Sequence, residues 1–67
     1  MDALIDPDDL IEALDAAHAL DWWQTAAPSY RRNILRWIVQ AKRVETRAKR
    51  IGIVVTHAAK GEKVAQF

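Results

Sequence analysis

Two adjacent arginines, Arg31 and Arg32, stand at the start of a predicted helix and are the residues best placed for anion chemistry. Ser29 is a good N-cap, and the free N–H groups at a helix start, together with two guanidinium groups, suit a phosphate or a carboxylate. Cations there oppose the helix macrodipole, so a nearby negative charge should compensate them. The alternative interpretation is therefore structural: acids of the first half of the chain, among them Asp15 and Asp21, fold back and pair with these arginines.

A stripe of basic side chains continues along this helix and into the next one. No acid within the third helix can neutralise it by i, i+4 pairing, although Glu45 can pair with Lys49 in the fourth. Such a stripe is either a solvated helix face or a contact surface for an acidic protein or a small anion. Nucleic acid is the rival partner, but the isoelectric point of about 8.2 is modest for that role. The candidate anion- or partner-binding residues are Ser29, Arg31, Arg32, Arg36, Arg43, Arg47 and Arg50.

Catalytic and metal chemistry have little support in the sequence. His18 and His57 lie far apart and outside any metal motif, and the absence of cysteine removes thiol nucleophiles and thiolate zinc ligands. Asp15, His18 and Asp21 share a helix face at i, i+3 and i+6, which could hold a metal ion, but a solvated polar face is the simpler interpretation. We expect no catalytic residue, no metal site and no cofactor.

The elements that must position these residues are helices, and the pattern predicts an all-α fold, a compact bundle of three to four short helices. Asp6-Pro7-Asp8-Asp9 predicts the first helix start, with Asp6 as the cap and Pro7 in the first helical position. Leu10 and Leu14 repeat at helical spacing, but Leu20 and Trp23 point about 100° away. We therefore place a turn within residues 16–19, and a continuous bent helix is the alternative.

Pro28-Ser29 closes the second helix and opens the third. The third helix has one apolar face, and the fourth segment is ambiguous, because residues 51–56 are rich in β-branched side chains that would suit a strand. Helical spacing of a second apolar stripe favours a helix, and Gly61 suits its C-terminal cap. The predicted faces are Tyr30, Ile34, Trp37, Ile38 and Ala41 in the third helix, and Val44, Ala48, Ile51, Val55 and Ala59 in the fourth.

The length of 67 residues indicates a single helical domain spanning 1–67, with an ordered core over about 6–61 and a tail, 62–67, that frays. Three tryptophans are expected to anchor the core, with either Trp22 or Trp23 partly exposed because the two diverge on the helix. Val39, Ile53 and Val54 fall on or near predicted solvent faces; if they cluster, they would form an apolar patch suited to a homodimer or a partner helix.

The N-terminal residues lack the features of a secretory signal, and no segment is long enough to span a bilayer, so we expect a cytoplasmic protein. The net charge of +1 conceals a division between the two halves. Residues 1–28 carry seven acids and no Lys or Arg, whereas residues 29–67 carry ten bases and two acids, which gives formal charges of −7 and +8. Such asymmetry indicates that the halves attract each other or that one of them meets a charged partner.

A set of short motifs in the second half carries a resemblance to a known family. The matching residues are Pro28-Ser29-Tyr30-Arg31-Arg32, Trp37-Ile38, Ala41-Lys42-Arg43, Glu45-Thr46-Arg47 and Arg50-Ile51. With these residues the chain resembles the helical domain called bacteriocin-protection, YdeI or OmpD-associated. The opening Asp6-Pro7-Asp8-Asp9-Leu10 is also similar, so the resemblance covers roughly residues 6–61, with departures at Asn33-Ile34 and at Gly52, which interrupts the last helix. The resemblance implies a noncatalytic interaction module in stress or antimicrobial-peptide resistance and brings no catalytic residue with it.

Overall fold

A computed structural model describes residues 6–65 as four helices with no strand among them. The helices are α1 (Asp8–Ala16), α2 (Leu20–Thr25), α3 (Pro28–Val39) and α4 (Val44–Ala59). Helix α4 packs against each of the other three, and α1 packs against α2. The all-α prediction is confirmed, and the long last helix is the element that holds the others together.

Helix α1 begins one residue later than the sequence analysis placed it. Pro7 is the N-cap, with extended backbone angles, and no side chain caps the helix, so the prediction of Asp6 as the cap is wrong. The first turn carries Asp8 and Asp9, which the macrodipole favours. Asp9 also accepts a hydrogen bond from the backbone N–H of Leu10 at 3.0 Å, which satisfies one of the free donors of the helix start.

Helix α1 ends in a Schellman motif that separates it from α2. The N–H of Ala19 donates to the carbonyl of Leu14 at 2.8 Å, and the N–H of His18 donates to that of Asp15 at 3.0 Å. His18 has a φ of 57°, the left-handed conformation that normally belongs to glycine at this position. The turn predicted within residues 16–19 is confirmed, and the bent continuous helix is excluded.

Helix α3 begins at Pro28 rather than after it. Ala27 is the N-cap, no side chain caps the helix, and Ser29 lies exposed in the first turn. The role of Ser29 as a cap is therefore a wrong prediction. The reason is that proline already has the backbone φ of a helix and no N–H to satisfy, so it takes the first helical position and moves Ser29 inside.

Helix α4 runs through the β-branched segment and through Gly52 without a break, so the helix assignment is confirmed and the expected interruption is not found. Gly61, at a φ of 69°, closes it in a second Schellman motif, in which the N–H of Glu62 donates to the carbonyl of His57 at 2.9 Å. A strand would have had no partner strand within the described chain, whereas the helix satisfies its own backbone.

One hydrophobic core lies between the helices. Trp23 is fully buried at its centre and packs edge to face against Tyr30 with ring centroids 6.3 Å apart; Trp22 is only partly buried, as the divergence of the two rings predicted. Trp37 is also only partly buried. The fully buried large side chains are Trp23, Leu10, Leu14, Ile34, Ile38 and Val54.

The buried side of α4 differs from the predicted stripe. Ile51, Val54 and Ala58 are buried, whereas Val44 is 81% exposed. Both stripes are apolar at helical spacing, so periodicity alone could not choose between them. The apolar patch considered for Val39, Ile53 and Val54 does not form, because Val54 is fully buried, Ile53 is partly buried and only Val39, at 66%, is exposed.

The segment after α4 returns to the core. Val64 is 6% exposed, and its N–H donates to the phenolic oxygen of Tyr30 at 2.9 Å. Burial raises the pKa of Tyr30 above its ordinary value, and the donated hydrogen bond acts in the opposite direction. The fraying expected from residue 62 onward therefore does not hold at Val64, and residues 66 and 67 lie outside the described part of the chain.

Candidate partner-binding surface

The outer side of α3 carries three of the predicted site residues. Ser29, Arg32 and Arg36 are exposed and lie within about 60° of one another on the helix, because they are spaced at i, i+3 and i+7. The opposite side of the helix holds the buried Tyr30 and Ile34. The core contacts of α3 therefore direct these polar side chains outward, as the apolar face predicted.

Two further cations follow α3 in the loop that leads to α4. Lys42 and Arg43 are exposed, and Arg43 is the N-cap residue of α4, with extended backbone angles and no side-chain cap. We define the basic surface as Arg32, Arg36, Lys42 and Arg43. Helix α3 has no acidic residue, so no acid of the same helix neutralises its arginines.

Arg31 lies apart from the basic surface. Its side chain is partly buried, and its Nε is a buried donor without a hydrogen-bond partner. Asp15 and Asp21, the acids predicted to compensate Arg31 and Arg32, pair with neither of them in the described chain; they line a surface depression with His18. The predicted pairing of these two acids with Arg31 and Arg32 is wrong, because both acids line the depression beside the turn at His18.

An acid of the first half does fold back onto the second half, at a different place. Asp9 of α1 and Arg47 of α4 form a bidentate ion pair. The Nε and one Nη nitrogen of Arg47 donate to the two carboxylate oxygens of Asp9 at 2.8 and 3.2 Å. These hydrogen bonds lower the pKa of Asp9 and raise the pKa of Arg47. Arg47 is therefore occupied in joining two helices.

Arg50 has a structural partner as well. Its guanidinium donates to the backbone carbonyl of Trp37 at 2.6 Å and lies over the ring of the same residue, 5.1 Å from the centroid. The carbonyls at a helix end lack partners within the helix. Arg50 of α4 supplies a donor to one of them, and the contact therefore holds the end of α3 against α4. Two of the seven predicted site residues, Arg47 and Arg50, thus serve the fold.

The depression formed by Asp15, His18, Leu20 and Asp21 has a volume of about 170 Å³ and opens to solvent. It brings together the three side chains weighed as metal ligands in the sequence. Within residues 6–65, however, no three acidic, histidine or cysteine side chains come close enough to hold a metal ion. The depression is an acidic surface feature without a ligand set.

Sequence reasoning missed a second concave feature, a mostly apolar groove of about 350 Å³ between α1 and α4. Its walls are Ala13 from α1 and Val44, Ala48 and Gly52 from α4, with Ile51 at its base. The signal was present in the predicted stripe of α4, which contains three of these residues. It was assigned to the core, although much of it faces outward.

Comparison with known proteins gives one result. A sequence model of the family described as Bacteriocin-protection, YdeI or OmpD-Associated matches residues 3–61. No curated protein and no solved structure matches the chain significantly.

Among the described residues, no helix has the length and apolarity needed to cross a membrane.

Proposed function

The chain belongs to the bacteriocin-protection, YdeI or OmpD-associated family, and we propose that it acts as a noncatalytic interaction module whose basic surface binds an acidic segment of a partner protein. The family description supports a setting in bacteriocin protection. The choice of partner chemistry depends on the charge that the fold leaves exposed.

The observation that supports this proposal is that some arginines are held in contacts within the fold whereas others are exposed. Arg47 and Arg50 are held by Asp9 and Trp37, whereas Arg36 and Arg43 are exposed and have no ion pair within the described chain. Exposed cations that are not paired with a carboxylate create a positive potential that attracts and orients an acidic partner.

An extended acidic segment suits this surface better than a small anion. The cations stand on the outer side of α3 and on the following loop, so they belong to two consecutive segments of the chain, whereas a small anion needs donors that converge on one point. Nucleic acid is less well served, because Trp37 lies under Arg50, which covers a ring face that base stacking would use.

The first prediction concerns binding of a poly-glutamate peptide. Amide shifts of Arg32, Arg36 and Arg43 should move during a titration, and the double variant Arg36→Glu with Arg43→Glu should weaken binding by roughly tenfold, because attraction becomes repulsion. The matched control is Lys49→Glu with Lys60→Glu, which changes the net charge equally on other exposed positions and should leave most of the affinity intact.

Three results would contradict the proposal. Flat amide shifts at the basic surface would remove it, and so would equal losses in the two double variants, which would indicate attraction by net charge alone. The third is tighter binding to duplex DNA or single-stranded RNA, with an affinity that falls steeply as salt rises, which would assign the surface to nucleic acid.

A further inference from the structure

Helix α4 has an apolar side that the fold does not cover. On a helical projection, five residues fill a continuous sector of about 80° with no polar side chain among them. We define the open face of α4 as these residues. Val44 is 81% exposed, three others are exposed, and one is partly buried. The open face consists of Val44, Ala48, Gly52, Val55 and Ala59.

The open face extends along the whole of α4, about 24 Å for 16 residues. The groove between α1 and α4 widens it on one side, and the Asp9–Arg47 ion pair lies among the groove-lining residues. On the other side the next residues around the helix are polar, among them Glu45 and Lys60. An apolar strip with charged borders is the usual form of a helix contact surface.

Gly52 lies in the middle of this face and is unexplained by the monomer. Glycine is unfavourable inside a helix, and a Cβ built at this position meets nothing within 4 Å. The backbone of Gly52 is helical, so no unusual φ requires glycine there. A glycine that neither the conformation nor the packing of its own chain requires is suited to the close approach of another backbone.

We propose that a second copy of this chain packs on the open face, with the two α4 helices antiparallel and crossing at Gly52. In this register Val44 of each copy meets Ala59 of the other, Ala48 meets Val55, and the two Gly52 residues lie next to the two-fold axis, one on each side of it. Larger side chains therefore face smaller ones along the contact. A two-fold contact requires this kind of self-complementary surface.

Charge favours the antiparallel direction. Glu45 lies near the start of α4 and Lys60 directly after its end, both exposed and without an ion pair in the described chain. The antiparallel pair brings Glu45 of each copy beside Lys60 of the other, whereas a parallel pair would place like charges together. A parallel arrangement would also set Val44 against Val44 at one end and leave Ala59 against Ala59 at the other.

Sedimentation equilibrium of the full chain tests the proposal. One helix pair is smaller than a standard interface, so we expect a dissociation constant of about 10 μM to 1 mM. Ala48→Glu, which places a charge in the contact, should weaken self-association by roughly tenfold or more. Val44→Gln should weaken it as well, whereas the matched change Val39→Gln, at the other exposed valine, should not.

Cysteine cross-linking tests the direction, since the chain has no cysteine of its own. A mixture of the Val44→Cys and Ala59→Cys variants should form the mixed disulfide in preference to either symmetric one. A monomer at about 1 mM overturns the proposal, as does a dimer that Ala48→Glu leaves unchanged. Preferential Val44→Cys homodimers overturn the antiparallel arrangement. Poly-glutamate binding by the Ala48→Glu variant separates this outcome from failure of the proposed function.

Discussion

At the scale of single residues, His18 is the one described non-glycine residue in the left-handed region. That conformation costs an ordinary residue roughly 1 to 2 kcal/mol. Glycine avoids this cost in the folded state, but it loses more conformational entropy on folding, which offsets part of the gain. We therefore expect His18→Gly to raise the free energy of unfolding by about 0.5 to 1 kcal/mol in urea denaturation. His18→Asn should be close to neutral, because asparagine tolerates this conformation. A less stable glycine variant would show that the imidazole itself stabilises the turn.

The individual arginines show how far residue types alone could lead. Exposure of Arg32 and Arg36 followed from the apolar face of α3, which could be read from the sequence. The partners of Arg47 and Arg50 could not be predicted, because each lies on another helix, 38 and 13 residues away in the chain. Pairing across helices depends on their packing angle and register, which periodicity does not contain.

At the scale of elements, α4 packs against the core on one side and carries the proposed dimer contact on another. Gly52→Ala should raise the free energy of unfolding by about 1 kcal/mol in dilute solution, because alanine favours the helix and the added methyl group enters open space. Ala48→Gly, one turn away on the same exposed face, should lower it by about the same amount. Thermal or urea unfolding monitored by circular dichroism provides the measurement. A destabilised Gly52→Ala variant would mean that its surroundings in the folded chain are crowded.

Helix existence was predictable, whereas helix rotation was not. The break at His18 followed from a change in the apolar phase between Leu14 and Leu20, and α4 followed from its spacing in spite of its β-branched residues. The prediction of which side of α4 faces the core was wrong, because this helix carries two apolar stripes. Buried Ile51, Val54 and Ala58 form one stripe, and the open face forms the other. The sequence pattern shows both apolar stripes, but it does not show which of them packs against the core.

At the scale of the whole molecule, the division of charge between the halves has a structural part and an exposed part. The acidic first half reaches the basic second half through Asp9 and Arg47, which lie 38 residues apart. Asp15 and Asp21 remain on the surface, as do Arg36 and Arg43. Part of the charge division therefore stabilises the fold through the Asp9–Arg47 ion pair. The remaining opposite charges lie on separate segments of the chain, where they can orient a charged partner.

The pH dependence of stability should reveal the cohesive part. The folded-state pKa of Asp9 is lowered by the hydrogen bonds from Arg47, so its contribution is present above the unfolded pKa of 3.8 and is lost as pH falls through the folded value. Asp9→Asn should cost about 0.5 to 1 kcal/mol at neutral pH, since the pair is two-pronged but solvent-exposed. Below the folded pKa the variant and the original chain should become equally stable in urea unfolding. Glu12→Gln, an exposed acid of the same helix, provides the control. A difference for Asp9→Asn that persists unchanged in acid would show that an effect independent of the carboxylate charge, rather than the ion pair, stabilises the fold.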